Sequence, residues 1–440
     1  MPAHPSFGAE PRRVALASAI GTTIEWYDFF IYGTAAATVF GPQFFPQVSE
    51  LAGTLASFAT FGIGFIARPL GGVVMGHYGD RVGRKFMLVW SLLLMGTATL
   101  AIGLLPTYAQ IGAWAPVLLV VLRFVQGFAL GGEWGGAILM SIEHAPEGRR
   151  GLFGSIVALG LPAGIILSNL VFLVASTSVA SAEFAAWAWR IPFIASAVLV
   201  GVGLWVRLGI AESPVFAAAV SAHGARRMPI ADVLRSSSRT VLLAAGSYLA
   251  ISSLGYVVLV YFVTYATRQL GLSLPLTLAM VMAASVVCSP AIVLAARWSD
   301  QLGRQRMTRW GLGALVLWSV VFFPLLDTKS VPLVLLAVAG MLGIQGFYLG
   351  PQPAVFAELF PTEVRYSGAS LSLTLGTIVG GAIAPIVATY LFSLTHTSTL
   401  ITVYMTAVSV VSFVCSLGLR ETYRESLSQN DSIPARRAGN

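Results

Sequence analysis

The chain has 440 residues, of which 56% are hydrophobic and only 10% charged, with a mean hydropathy of +0.81. Soluble domains carry about 25% charged residues, so this composition excludes a soluble protein and implies one embedded in a lipid bilayer. The net charge of +8 does not signal nucleic acid, because the basic residues stand in short clusters between apolar runs with no aromatic-interleaved basic surface around them.

A helix needs about 20 apolar residues to cross the hydrocarbon core. On that rule the sequence predicts twelve spans, at 14–40, 51–76, 86–105, 115–142, 152–175, 187–210, 240–268, 275–297, 308–325, 331–358, 368–393 and 397–419. The first run is too long for a signal peptide and carries Glu25 and Asp28 in its middle. Lys and Arg residues outside the spans fall overwhelmingly on one side, including Arg12, Arg84, Lys85, Arg149, Arg150, Arg226, Arg304, Arg306, Arg365 and Arg420. The other side has little more than Arg190, Arg268 and Lys329. By the positive-inside rule both termini face the cytoplasm. The expected organisation is an amino-terminal six-helix half (1–210), a cytoplasmic linker (211–239), a second six-helix half (240–419) and a cytoplasmic tail (420–440), all α-helical.

A repeat supports the division. GHYGDRVGRK after the second span recurs as ARWSDQLGRQ after the eighth, with Asp80, Gly83 and Arg84 returning as Asp300, Gly303 and Arg304. Glu143, Pro146 and Arg150 after the fourth span return as Glu358, Pro361 and Arg365 after the tenth. Two such pairs at equivalent places imply parallel halves related by a pseudo-two-fold axis along the membrane normal.

These same residues carry a family resemblance over essentially the whole chain. Gly76-x3-Asp80-Arg81-x-Gly83-Arg84-Lys85 resembles the loop signature of the major facilitator superfamily, and Arg123-x-x-Gln126-Gly127 its fourth-helix signature. Glu25-Trp26-Tyr27-Asp28-Phe29 with Tyr32, and Gly132-Glu133-Trp134-Gly135-Gly136, are similar to the metabolite:proton symporter family. Its members carry shikimate, 2-oxoglutarate, citrate, proline or betaine; FFPQVS and the second span look most like shikimate-type carriers. The resemblance implies proton-coupled uptake of a small polar metabolite such as an organic acid, by a monomer in the bacterial plasma membrane. Gly160-Leu161-Pro162-Ala163-Gly164 departs from the GPxxGG pattern of drug:proton antiporters, which favours symport. Gln301 and Gln305 stand where the first loop has Arg81 and Lys85, so the second copy is expected to be the weaker gate.

Ionisable groups at bilayer depth are costly and mark a pathway. Glu25 and Asp28 are three residues apart and share a face of the first span, with Tyr32 one turn beyond. Two carboxylates this close cannot both ionise cheaply, so one is expected to hold a proton, Asp28 before Glu25. The alternative is a permanent ion pair with Arg68 or Arg123 that only fixes packing. Arg123, Gln126 and Glu133 share a face of the fourth span. Arg123 resembles the family's arginine implicated in proton movement, and a salt bridge from Asp28 to Arg123 is the expected lock. Gly127, Gly131 and Gly135 form GxxxG steps that let helices approach closely, and are expected to bring the first span, with Asp28, within reach. Glu133 is expected to pair with Arg68, which precedes Pro69 in the second span.

A carboxylate substrate needs a fixed guanidinium, for which Arg68 and Arg123 are the candidates. The second half offers Tyr261 with Tyr265 and Gln345 with Tyr348 and Gln352, each set on one helical face and able to hydrogen-bond a polar solute. A tyrosine stripe also reads as core or interface belt. Asp80, Arg84, Glu143 and Arg150, and in the other half Asp300, Arg304, Glu358 and Arg365, are expected to form an ion-pair lattice that gates the cytoplasmic face; capping and topology are the plainer roles for the same residues.

No Ser/His/Asp order, HExxH or paired histidine is visible near the spans, so no enzyme activity is expected. Cys288 and Cys415 lie in apolar runs without metal-ligand spacing and read as filler, and neither metal nor cofactor is expected. An uncoupled uniporter of the same fold, in which the carboxylates are structural, and a non-transporting nutrient sensor remain open alternatives.

Overall fold

In the computed structural model, described for residues 9–82, 84–131, 142, 148–208, 237–360 and 365–423, the chain is helical throughout its spans. Hydrocarbon offers the backbone no hydrogen bonds, so each segment satisfies its own amides as a helix. The spans are α1 (Ala9–Thr38), α2 (Glu50–Val82), α3 (Arg84–Leu104), α4 (Trp114–Leu130), α5 (Arg150–Thr177), α6 (Ile191–Leu208), α7 (Ser238–Arg268), α8 (Leu274–Leu302), α9 (Arg304–Asp327), α10 (Val331–Glu358), α11 (Arg365–Thr377, running on through Ile378–Ala382 and Ala384–Thr395) and α12 (Thr399–Leu417). Among the described residues nine of these are long and apolar enough to cross a membrane, and Val89–Leu104 and Trp114–Leu130 are shorter apolar helices. The predicted linker lies outside the described residues apart from 237–239.

Twelve crossings return the chain to the side on which it starts, here called the terminal side. Outward faces present Val198, Trp205 and Leu317, each at least 70% exposed, as a lipid-facing belt requires. By contrast α7 is buried for 94% of its most apolar window and stands at the centre, where the halves meet.

Gly83, at the first of the two loop breaks the repeat predicts, lies outside the described residues; at the second, one helix ends at Leu302 and the next begins at Arg304. At the second break Gly303 has φ +112, a conformation only glycine adopts without strain. Arg150 and Arg365, the paired residues of the second repeat, each begin a span.

The glycines of α4 pack against α2, not against α1 as expected. A Cβ at Gly127 would lie 2.1 Å from the Gly64 carbonyl oxygen, and one at Gly131 would lie 1.9 Å from the Arg68 oxygen. Gly135 lies outside the described residues. Because the obstacle is backbone on both helices, Gly127→Ala is expected to force α2 and α4 apart and to destabilise by about 1–3 kcal/mol. The melting temperature of the purified protein reads this; a variant that melts with the wild type would refute it.

The halves close on the side opposite the termini. Thr264 donates from Oγ1 to the Ala37 carbonyl at 3.0 Å, and Arg268 bridges to Glu50 at 2.9 Å and Thr54 at 3.1 Å. Between the halves lies a central cavity.

Candidate functional site

The cavity comprises about 1290 Å³ of atom-free space, part of it continuous with solvent. Both halves line it: Thr22, Trp26 and Phe30 of α1, Phe65 and Arg68 of α2, and Leu130 of α4 face Tyr248, Ser252 and Tyr256 of α7, Gln345 and Gln352 of α10, and Thr374 and Thr377 of α11. Among the described residues Arg68 is the one charged side chain in this wall. Its guanidinium stands 4.9 Å from the ring centres of both Phe29 and Phe65, and its Nε has no hydrogen-bond partner. Glu133, its expected partner, lies outside the described residues.

Across the cavity, Gln352 donates from Nε2 to Thr308 at 3.4 Å while its Oε1 is unpartnered, as is Nε2 of Gln345. One free acceptor and one free donor therefore stand in the wall opposite a cation. A carboxylate solute with hydroxyl or carbonyl groups matches that set.

Tyr261, Tyr265 and Tyr348 do not line the cavity. Tyr348 donates to the Ser247 carbonyl at 2.8 Å within the second half. Tyr265 donates to Asp327, which also accepts from Ser398, tying α7 to α9 and α12. For the α7 pair the reason is helical phase: at about 100° per residue Tyr261 and Tyr265 lie about 140° and 180° round the helix from Tyr256, and a π turn at Val257–Tyr261 lies between them and the cavity face.

An aromatic layer caps the cavity on its far side. Phe29, Phe61, Phe65 and Tyr256 stack with centroids 4.8–5.7 Å apart. Arg123 lies behind this layer and is 1% exposed. Its guanidinium sits 4.1 Å from the Tyr32 ring centre, 4.7 Å from Phe29 and 4.9 Å from Phe61. Gly64 makes the room, since a Cβ there would lie 2.7 Å from Arg123 Nε. A desolvated cation–π contact is worth about 2 kcal/mol, so three ring faces offset much of the cost of burying the charge. Tyr32 is held in place by donating to Thr60 at 2.7 Å.

The expected Asp28–Arg123 salt bridge is absent. Asp28 Oδ2 instead accepts from Thr99 of α3 at 3.1 Å, Thr99 Oγ1 accepts from Gln126 Nε2 at 2.7 Å, and Gln126 Oε1 accepts from Arg123 Nη1 at 3.1 Å. The carboxylate and guanidinium are thus joined through two intervening side chains. Asp28 Oδ1 and Arg123 Nε and Nη2 have no partner. Glu25 is buried one turn away on α1. The cavity reaches none of Asp28, Arg123, Gln126 or Tyr32. Thr99 was not legible in the sequence, being one hydroxyl in an apolar span with no spacing to distinguish it from Thr97.

Of the expected gate, the side chains of Asp80 and Arg84 and all of Glu143 lie outside the described residues. The other copy is a dense buried cluster. Arg304 bonds Asp300 at 2.7 Å and Glu358 through two donors at 3.2 Å. Glu358 also accepts from Thr422 at 2.9 Å and faces Arg150 at 3.8 Å. Asp300 accepts the Gly151 and Leu152 amides at 2.9 and 3.1 Å, capping the start of α5 and so joining the two halves. Gln305, placed where the first loop has Lys85, gives its backbone amide to Glu421 at 3.0 Å. Arg365 is buried at the start of α11. No group of metal-ligating residues occurs among the described residues.

Residues 18–385 match the family described as the Major Facilitator Superfamily. The chain is 42% identical over 420 residues to the inner membrane metabolite transport protein YhjE of Escherichia coli (strain K12), covering 94% of this chain and 95% of that one. It is 38% identical over 427 residues to the shikimate transporter of the same strain, covering 94% and 95%. A structure of the E. coli xylose transporter XylE in a partially occluded inward-open conformation superposes with a TM-score of 0.76 over 95% of this chain and 100% of that one. At 16% identity this last likeness speaks for the fold alone. The twelve-helix fold, the central cavity between its halves and these matches agree: the chain belongs to the major facilitator superfamily, as a multi-pass membrane transporter and not an enzyme.

Proposed function

We propose that the protein carries a small organic acid, shikimate or a solute of similar chemistry, into the cytoplasm together with a proton. The observation that carries the reading is the pairing of an Arg68-lined cavity with a buried Asp28 and Arg123 behind its aromatic cap. Arg68 binds the substrate carboxylate, and Gln345 and Gln352 meet its hydroxyl or carbonyl groups. Asp28, with Glu25 beside it, carries the proton, and Arg123 responds to its charge. The arginine bias makes the terminal side cytoplasmic, and the protein works as a monomer in the plasma membrane. The Asp300, Arg304, Glu358 and Arg150 cluster is the cytoplasmic gate that alternating access remakes on each cycle.

Uptake of labelled shikimate, a dicarboxylate and a betaine into proteoliposomes, at two pH values and with and without an uncoupler, tests the reading. Shikimate uptake that an uncoupler abolishes supports it; failure to move any organic acid refutes it. Arg68→Gln is expected to weaken binding of the transported acid about tenfold or more, because a charge-assisted hydrogen bond is lost. Unchanged half-saturation in that variant would remove Arg68 from the site.

One observation favours a second reading. Asp28 is hydrogen-bonded to Thr99 of α3 and sealed from the cavity, which suits a structural carboxylate in an uncoupled uniporter. Uptake indifferent to the uncoupler would select it.

A further inference from the structure

We propose that Thr99 is the positioning residue that reads the protonation state of Asp28 and transmits it to Arg123. This rests on Asp28 being the proton carrier. A threonine hydroxyl has one hydrogen to give and two lone pairs to receive with. Thr99 is fully buried, and three polar groups lie within hydrogen-bond distance of its Oγ1. Gln126 Nε2 is 2.7 Å away, the Met95 carbonyl 2.9 Å and Asp28 Oδ2 3.1 Å.

The roles of two of these are set. Gln126 Oε1 accepts from Arg123, so the other end of the amide presents hydrogens to Thr99 and occupies one lone pair. The Met95 carbonyl can only accept. The single Thr99 hydrogen therefore has two competing acceptors, Met95 and Asp28. When Asp28 is ionised the hydrogen goes to the carboxylate, because a charge-assisted bond is about twice as strong as a neutral one. When Asp28 is protonated its own O–H donates into the second lone pair of Thr99, and the Thr99 hydrogen turns to Met95. The same heavy atoms support both arrangements.

The two arrangements differ in what reaches Arg123. A hydroxyl that donates to a carboxylate is a better acceptor, since bonds in a chain polarise one another. Gln126 is thus held more firmly, and with it Arg123, while Asp28 is ionised. Protonation slackens the chain at the guanidinium, whose Nε and Nη2 have no other partner.

The surroundings leave this path as the direct link. The charged and titratable groups facing Asp28 among the described residues are Glu25 and Tyr27 of its own helix and, through Gln126, Arg123 of α4. Tyr27 is engaged with the Pro192 carbonyl of α6 at 2.7 Å. Arg68 of α2 and Tyr256 of α7 stand around Phe29 on the cavity side. In α3 the hydrogen bond to Asp28 comes from Thr99, and α5 has no charged residue between Gly160 and Thr177.

Infrared pH titration of the purified full-length protein tests the proposal without any substrate. The carboxylic C=O band that Asp28→Asn removes reports this one group. Thr99→Ser is expected to keep the wild-type midpoint and band position. Thr99→Val, which keeps the shape and loses the hydroxyl, is expected to move the midpoint to higher pH by about one unit, the size of a lost hydrogen bond to a charged group, and to shift the band. Thr99→Ala gives the same reading if the valine variant does not reach the membrane. A band and midpoint unmoved in both variants would overturn the proposal, as would the absence of any titrating band assignable to Asp28. Failure of the transport reading shows separately, as shikimate uptake indifferent to an uncoupler while Thr99 still controls the midpoint.

Discussion

Asp28→Asn is expected to abolish uphill accumulation of the transported acid while leaving exchange across the membrane near the wild-type rate. Asparagine has the shape of the protonated carboxyl and can still accept from Thr99 at the position of Oδ2, so the chain through Gln126 to Arg123 keeps its geometry. What it loses is the ability to take up and release a proton. For one-for-one electroneutral symport a pH gradient of one unit supports about tenfold accumulation, since about 1.4 kcal/mol is a factor of ten. The variant should stop at equal concentrations inside and out. Proteoliposomes with an imposed gradient measure accumulation, and counterflow with no gradient measures exchange. If the variant still concentrates its substrate, Glu25 is the carrier and Asp28 is structural. If exchange is lost as well, the residue is needed for the rocking motion and not for coupling alone.

The second large effect lies at the opposite end of the molecule. Glu358→Ala removes the group that receives two donors of Arg304 and the hydroxyl of Thr422. Arg304 is 2% exposed, and its guanidinium would keep Asp300 as an acidic partner. Breaking a buried ion pair from one side costs about 3–5 kcal/mol, because the remaining charge is left poorly compensated. The cost is borne by the state described here, in which Arg150 also faces Glu358 across the halves. The melting temperature of the purified protein should therefore fall, and Glu358→Gln, which keeps two hydrogen-bonding atoms, should fall less. The exposed Arg268–Glu50 bridge on the other side makes a control, since such pairs contribute about 0–1 kcal/mol. Equal losses at the two sites would show that burial does not set the energetics.

The expectation that the second loop is the weaker gate came from Gln301 and Gln305 replacing basic residues. In the structure Asp300 and Arg304 are joined by Glu358, Thr422 and the amides of α5. Arginine count in the loop leaves this compensation out, because much of it comes from elements distant in the chain; the side chains of the first loop lie outside the described residues. Backbone amides at a helix start have no sequence signature of their own.

By itself the sequence determined the class of the protein, the number of spans and the division into two related halves. Those properties follow from apolar run length, from the side on which arginines fall and from repeated loop residues, all of which are local along the chain. It also singled out Asp28, Arg123, Gln126 and Arg68, because a polar group inside an apolar helix is conspicuous without knowing its neighbours. Only the tertiary structure decided what each of them meets. It put Arg68 in the cavity wall and Arg123 behind an aromatic cap, inserted Thr99 and Gln126 between two groups expected to touch, and left Tyr261 and Tyr265 outside the cavity wall. Those outcomes depend on how helices rotate against one another. A rotation of one residue, about 100°, moves a side chain from cavity to core while leaving every local pattern unchanged.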